Sequence, residues 1–273
     1  MFQYHFMQNA YLAGTCIAIA AAAAGFFVVL RAQTFAGHSL ANVGFAGAAG
    51  ASLIGVSPFV GLFAAGLLAA LGMQAFGRGL RQTARSDVAI GAVFTAALAL
   101  GYLFIHLSTA EYAGNIYSVL FGNALGIDDQ GVVLAAGGML VLLAILAWIG
   151  RPLFFASIDP EVAAARGVPV QALSFVFLIA LALVVAVAVQ VVGILLIFAL
   201  LVTPAATARQ LATRPLPAIA IAMGIALLVV WGGLAAGYYS PWPVSFFITS
   251  FAFGSYVLVA VGRRLGSRAA SHV

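Results

Sequence analysis

Lysine is missing altogether: all 11 Lys+Arg positions are arginine. That excludes a P-loop lysine, so the chain cannot hydrolyse ATP through a Walker motif, and it excludes lysine-linked retinal or pyridoxal chemistry. Charge of either sign is scarce, at 6% of 273 residues against about 25% in soluble globular proteins. With 65% of residues hydrophobic, the chain reads as a polytopic membrane protein with no room for a separate soluble domain. Cysteine is reduced to Cys16 inside an apolar run, which excludes an internal disulfide and a cysteine-rich metal site. Neither G-x-S-x-G nor H-E-x-x-H occurs, so an intramembrane enzyme lacks its usual machinery. No acidic residue lies in the middle of an apolar run. This counts against the alternative of a secondary transporter or channel for a small cation, because coupled carriers use such residues.

What is present is a series of apolar runs punctuated by arginine. The arginines fall at Arg31, Arg78/Arg81/Arg85, Arg151/Arg166, Arg209/Arg214 and Arg263/Arg264/Arg268. The positive-inside rule puts every cluster on the cytoplasmic side. Each of the four gaps must leave and return, and the run before Arg31 adds one more, which gives nine crossings and an external N-terminus. The spans expected are 9–30, 36–55, 58–76, 88–107, 131–149, 170–189, 192–208, 216–236 and 244–262. The run 170–208 spans twice only with a tight turn near Gln190 to Gly193; without it the count is eight. Glu111, Asp128 and Asp129 then lie outside, and Asp87, Asp159 and Glu161 at cytoplasmic ends. The N-terminus MFQYHFMQNAYL lacks a basic n-region, so its first apolar run is expected to remain as a span. The stretch 107–130 is too short in its apolar part to cross and return, and reads as an external interfacial or re-entrant helix. Gly44, Gly47, Ala48 and Ala51 form small-xxx-small pairs suited to close helix approach. The pI of about 9.8 fits orientation in a bilayer, with no nucleic-acid face and membrane lipid as surroundings.

The longest polar interruption, FFASIDPEVAAARGVPVQAL, is cytoplasmic by the arginine count. Asp159 suits an N-cap, Pro160 the first helical position, Glu161 the positive end of the dipole and Gly167 a left-handed C-terminus. This predicts a short helix within 158–168, about 10 Å long. On the residues alone, it is either a solvated surface helix or a seat for a soluble motor.

FFVVLRAQTFAGHSLANVGFAG, YSVLFGN, SIDPEVAAARGV and VVGILLIFALLVTPAATARQLA follow one another in an order and spacing that resembles the permease subunit of bacterial ABC importers for zinc, manganese or iron, over roughly residues 20–260. The resemblance implies an all-α integral membrane bundle, residues 1–273 forming one permease domain in the bacterial cytoplasmic (inner) membrane. It implies a homodimer served by two cytoplasmic ATP-binding subunits and an extracytoplasmic metal-binding protein. No cofactor is expected on this chain, with ATP on the partner and a divalent metal ion as cargo. Asp159, Pro160, Glu161, Ala164 and Gly167 would then belong to a coupling helix.

The family pattern puts an Asp, and four residues later a His, on the second span. Here His38 stands at the Asp position and Asn42 at the His position. Residues four apart share a helix face, so both remain candidates for the metal path, as a neutral and weaker pair. The bland reading of His38 is an imidazole bonded to a backbone carbonyl between helices, and Ser39 reads as packing. His5, His106 and His272 read as interfacial or solvated, and Asn123 replaces an acidic residue common in relatives. Thr203 and Pro204 are gate or hinge candidates. Proline removes a backbone bond and either hinges the helix or leaves a fixed bend, with Thr203 re-satisfying the freed carbonyl.

Overall fold

The computed structural model describes residues 1, 3–77, 83–107, 122 and 124–270. No strand occurs among them. The helices are α1 (His5–Leu30), α2 (Thr34–Leu53), α3 (Pro58–Gly77), α4 (Thr83–Leu107), α5 (Asp129–Ile158), α6 (Pro160–Ala165), α7 (Val170–Val192), α8 (Ile194–Leu211), α9 (Pro215–Tyr239) and α10 (Val244–Ala270). Seven have the length and hydropathy to cross a bilayer, and Leu196–Leu211 within α8 is a shorter apolar helix. In α2 the apolar character is interrupted by Thr34, His38, Ser39, Asn42 and Ser52. Both of these helices are packed inside the bundle, where Leu40 and Ala41 of α2 and Ile197, Leu200 and Leu201 of α8 are almost fully covered. A helix sheltered by other helices need not match the hydropathy of one that faces acyl chains.

Small residues decide which helices meet. α1 carries Ala20 through Ala24, all buried, and packs against α5, α8 and α9 as the central helix. A Cβ on Gly25 would overlap the Leu201 carbonyl oxygen, so α1 and α8 touch backbone to backbone. Between α2 and α3, Gly47 and Gly61 face each other, with Ala51 and Ala65 beside them. The small-residue stripe on the second span is therefore an interhelical seam. Without a hydrophobic driving force between helices in lipid, such close backbone approach supplies the dispersion contacts that hold them.

The contacts at helix ends fix the relative directions. At one end, Tyr4 of the N-terminus lies against Tyr238 of α9, and Asn9 reaches Asp129 at the start of α5. At the other, Arg31 meets Ser157 and Ser174, Arg209 bonds the Val29 carbonyl, and Arg263 bonds the Gln210 carbonyl. These three arginines thus gather at one end of the bundle and the Asp128/Asp129 pair at the other, the sidedness required by the arginine spacing. The turn between spans six and seven is Gly193 alone, with φ +81, and Gly122 is pressed against the Val192–Gly193 backbone. The expected loop before residue 158 is different. α5 continues unbroken through Pro152 to Ile158, because the apolar LFFASI segment packs Leu153 and Ala156 into the core. The re-entrant segment proposed for 107–130 falls mostly outside the described residues.

Candidate translocation site and coupling segment

α6 assembles as its sequence dictates. The Asp159 carboxylate accepts from the Val162 backbone N–H at 3.0 Å, Pro160 opens the helix and Glu161 stands in the first turn. Its C-terminus is a Schellman turn: Val168 N–H donates to Ala163 O at 3.0 Å, and Gly167 N–H to Ala164 O at 2.9 Å. Gly167 takes φ +81, where a Cβ would be strained. Ala163 is buried toward the bundle, whereas Val162, Ala164 and Ala165 are exposed and Ile158 before the helix is 63% exposed. The segment therefore presents apolar side chains outward between Glu161 and Arg166, a surface suited to a protein partner.

His38 and Asn42 do share one face of α2. Asn42 Nδ2 donates to the His38 carbonyl at 2.9 Å and lies 3.4 Å from His38 Nε2. Asn42 Oδ1 makes no hydrogen bond among the described residues. The imidazole is flanked by Phe198 of α8 and Phe94 of α4, with ring centroids 5.1 and 5.8 Å away. Among the described residues His38 Nδ1 is buried without a hydrogen-bond partner. Ser39, placed by sequence as packing, is fully buried and its hydroxyl is likewise unpartnered. Buried polar atoms are usually satisfied by protein or by ordered water. Among the described residues no three or more His, Cys, Asp or Glu side chains cluster as a metal cage. On the face that His38 and Asn42 share, the chain presents an imidazole and an amide, both neutral groups.

A cavity of about 580 Å³ lies between α2, α3 and α4, bounded by Gly47, Gly50, Gly61, Ala65, Leu100 and Phe104 among others. No polar side chain among the described residues lines it, so those residues offer a dication no side-chain ligand there.

Pro204 lies inside α8, and the helix continues through it. The Thr203 hydroxyl makes no hydrogen bond among the described residues. Instead Thr207 Oγ1 donates to the Thr203 carbonyl at 2.8 Å, so re-satisfaction by Thr203 is not what holds this turn. Pro204 leaves the backbone of α8 one hydrogen bond short near the arginine-bearing end.

Arg31, a topology marker in the sequence, is a structural node. Its Nη2 donates to Ser174 Oγ at 2.5 Å, Nη1 to Ser157 Oγ at 3.3 Å and Nε to Gln33 Oε1 at 3.2 Å. The guanidinium carbon lies 6.0 Å from the Phe177 ring centre. Desolvation by burial pulls its pKa below the ordinary value, yet a guanidinium remains charged at neutral pH. Its serine partners are 126 and 143 residues away, and no local pattern announces them. At the opposite end His5 Nε2 lies 3.5 Å from Asp129 Oδ1, which also accepts from Asn9 Nδ2 at 2.8 Å. His272 and Asn123 lie outside the described residues.

A polytopic helical bundle with a capped helix jutting from its arginine-bearing end, and no nucleotide-binding lysine of its own, is a transport permease of the kind driven by a separate ATPase. The model of the ABC 3 transport family matches residues 3–262, and the chain belongs to that family. It is the membrane-spanning permease subunit of an ABC transporter, a multi-pass membrane protein, and ATP hydrolysis resides on another chain. It is 33% identical over 236 residues to the manganese import system permease protein ScaB of Streptococcus parasanguinis, covering 86% of this chain and 83% of the relative. It is also 33% identical over 215 residues to the manganese transport system membrane protein MntC of Halalkalibacterium halodurans, covering 78% and 72%. Among solved structures, PsaBC from Streptococcus pneumoniae in complex with Fab superposes with a TM-score of 0.83 at 29% identity, covering 94% of this chain and 91% of that one.

Proposed function

We propose that the chain, one permease domain over residues 1–273, imports a divalent transition metal across the bacterial cytoplasmic membrane, with manganese as the first substrate to test and zinc or iron as the alternatives. The observation that carries this reading is the similarity to manganese import permeases over most of the chain. Two copies form the path, served by two ATP-binding subunits and an extracytoplasmic metal-binding protein.

His38 and Asn42 are the metal-path residues in this reading, supported by the face that they share on α2. Each copy contributes one imidazole, so two copies offer the ion two strong ligands and no charge. Transit requires binding that is favourable enough to admit the ion and weak enough to release it, and a neutral set favours release. The driving force must then come from ATPase closure, received at Asp159, Pro160, Glu161, Ala164 and Gly167. Pro204, with Thr203, is the gate or hinge candidate on α8.

The test is uptake of radioactive manganese by vesicles containing the permease, its ATPase and its binding protein. Uptake should require ATP inside and vanish with a hydrolysis-dead ATPase. Uptake that instead follows an ion gradient without ATP would overturn the reading in favour of a secondary carrier.

A further inference from the structure

We propose that Arg31 is the positioning residue through which movement of the coupling helix reaches α1 and α8. The proposal rests on the reading of α6 as the ATPase seat. Ser157 stands two residues before the N-cap Asp159, on the helix that enters α6; Ser174 stands seven residues after Gly167, on the helix that leaves it. Arg31 therefore clasps both flanks of α6 at once, from the end of a third helix. Each serine spends its own proton on the carbonyl one turn back, Ser157 on Leu153 and Ser174 on Val170. Each hydroxyl oxygen is left as an acceptor only, aimed at the guanidinium. The rigid fork of arginine can serve two such acceptors on different helices, which the point charge of lysine cannot reproduce. No ion pair of Arg31 occurs among the described residues.

The turn that carries Arg31 points the same way. α1 ends in a Schellman turn, with Gln33 N–H donating to Val28 O at 2.9 Å and Ala32 N–H to Val29 O at 3.3 Å. The left-handed position is held by Ala32 at φ +54, where the matching turn of α6 uses Gly167. A left-handed alanine is held in place by its surroundings, and such outliers concentrate at elements whose geometry matters. Val29 O, part of that cap, also accepts from Arg209 Nη1 at 3.1 Å. Arg209 lies in the last turn of α8, five residues after Pro204. Directional bonds thus run without a gap from both flanks of α6, through Arg31 and the α1 cap, to the helix whose backbone is weakened by proline.

The experiment uses the whole importer in vesicles, supplied with Mn²⁺, and reads manganese imported per ATP hydrolysed. Arg31→Ala should lower this ratio about tenfold, the scale expected for losing charge-assisted hydrogen bonds, while the complex still co-purifies. Ser157→Ala with Ser174→Ala should reproduce the loss, and the triple variant should add nothing further, since all three residues act through one clasp. Arg31→Lys should recover only part. A wild-type ratio in Arg31→Ala, or losses that multiply in the triple variant, would overturn the proposal. If Arg31→Ala fails to assemble, the serine pair carries the test, because it removes no charge; an unchanged ratio there also overturns it. Gly167→Val and Glu161→Lys separate the two readings. Should they uncouple transport while the Arg31 and serine variants do not, only the clasp is wrong; if none uncouples, the assignment of α6 falls first.

Discussion

His38 and Asn42 form the pair proposed here to line the ion path. Their shared face follows from four-residue spacing alone, so the sequence shows it without help. What it cannot show is the outcome of competition for hydrogen bonds: Asn42 gives its N–H to the His38 carbonyl, and Nδ1 of the imidazole is left without a partner. His38→Ala should slow manganese uptake at matched expression with little effect on assembly with the ATPase. Uptake equal to wild type would make the histidine structural. Arg31 illustrates the opposite limit of legibility, since its partners are set by tertiary packing over more than a hundred residues. Ala32 next to it allows a separate check. Replacement by glycine removes the left-handed penalty, about 1 kcal/mol, and gives back some unfolded-state entropy, about 0.5 kcal/mol. Ala32→Gly should therefore leave thermal stability unchanged or slightly raised, measured by unfolding in detergent; a clear loss would mean that Ala32 makes a packing contact worth more than its strain.

Among elements, the most legible is α6, because every rule that builds it is local: an acceptor at the N-cap, proline at the first position, glycine where φ turns positive. Gly167→Val places a β-branched residue at φ +81 and should distort the turn that sets the helix angle. Glu161→Lys reverses charge at the positive end of the dipole. Both should leave the permease in the membrane and uncouple ATP hydrolysis from uptake, and substrate-stimulated hydrolysis at the wild-type level would refute the assignment. The helix seams were legible only by half. The stripe from Gly44 to Ala51 announces close approach, but nothing in it names Gly61 of α3 as the partner. Gly25 is the sharper case, an unremarkable glycine in an apolar run that proves to touch the Leu201 backbone. Gly25→Ala must push α8 away from α1, and overpacking of this kind costs about 1–3 kcal/mol. Loss of thermal stability should accompany it, and a melting temperature equal to wild type would show that the seam can open without cost.

For the molecule as a whole, sidedness is the property read most directly from composition, because charge is so sparse that each arginine must be explained. The physical reason is the cost of carrying a guanidinium through hydrocarbon, which leaves the clusters on the side where they were made. Hydropathy alone falls short of the count that the arginine spacing predicts. Among the described residues seven helices pass that test, while α2 carries Thr34, His38, Ser39, Asn42 and Ser52 and α8 is short where its apolar stretch is measured. Parity recovers both: with Arg31 and the arginine-rich segment 78–85 on one side, the intervening chain must go out and come back, and α2 and α3 are the helices available. The same holds between Arg166 and Arg209, where α7 and α8 turn at Gly193 with no loop between them. We therefore propose nine crossings, with the N-terminus outside and the C-terminus inside. In a chain freed of Cys16, single cysteines at positions 3, 56 and 240 should react with an impermeant maleimide added outside intact cells, and cysteines at 165 and 213 only after the membrane is opened. A label at position 3 reachable only from within would remove the first crossing. A label at 56 reachable only from within would mean that α2 does not span, and that the histidine on it lies outside any path.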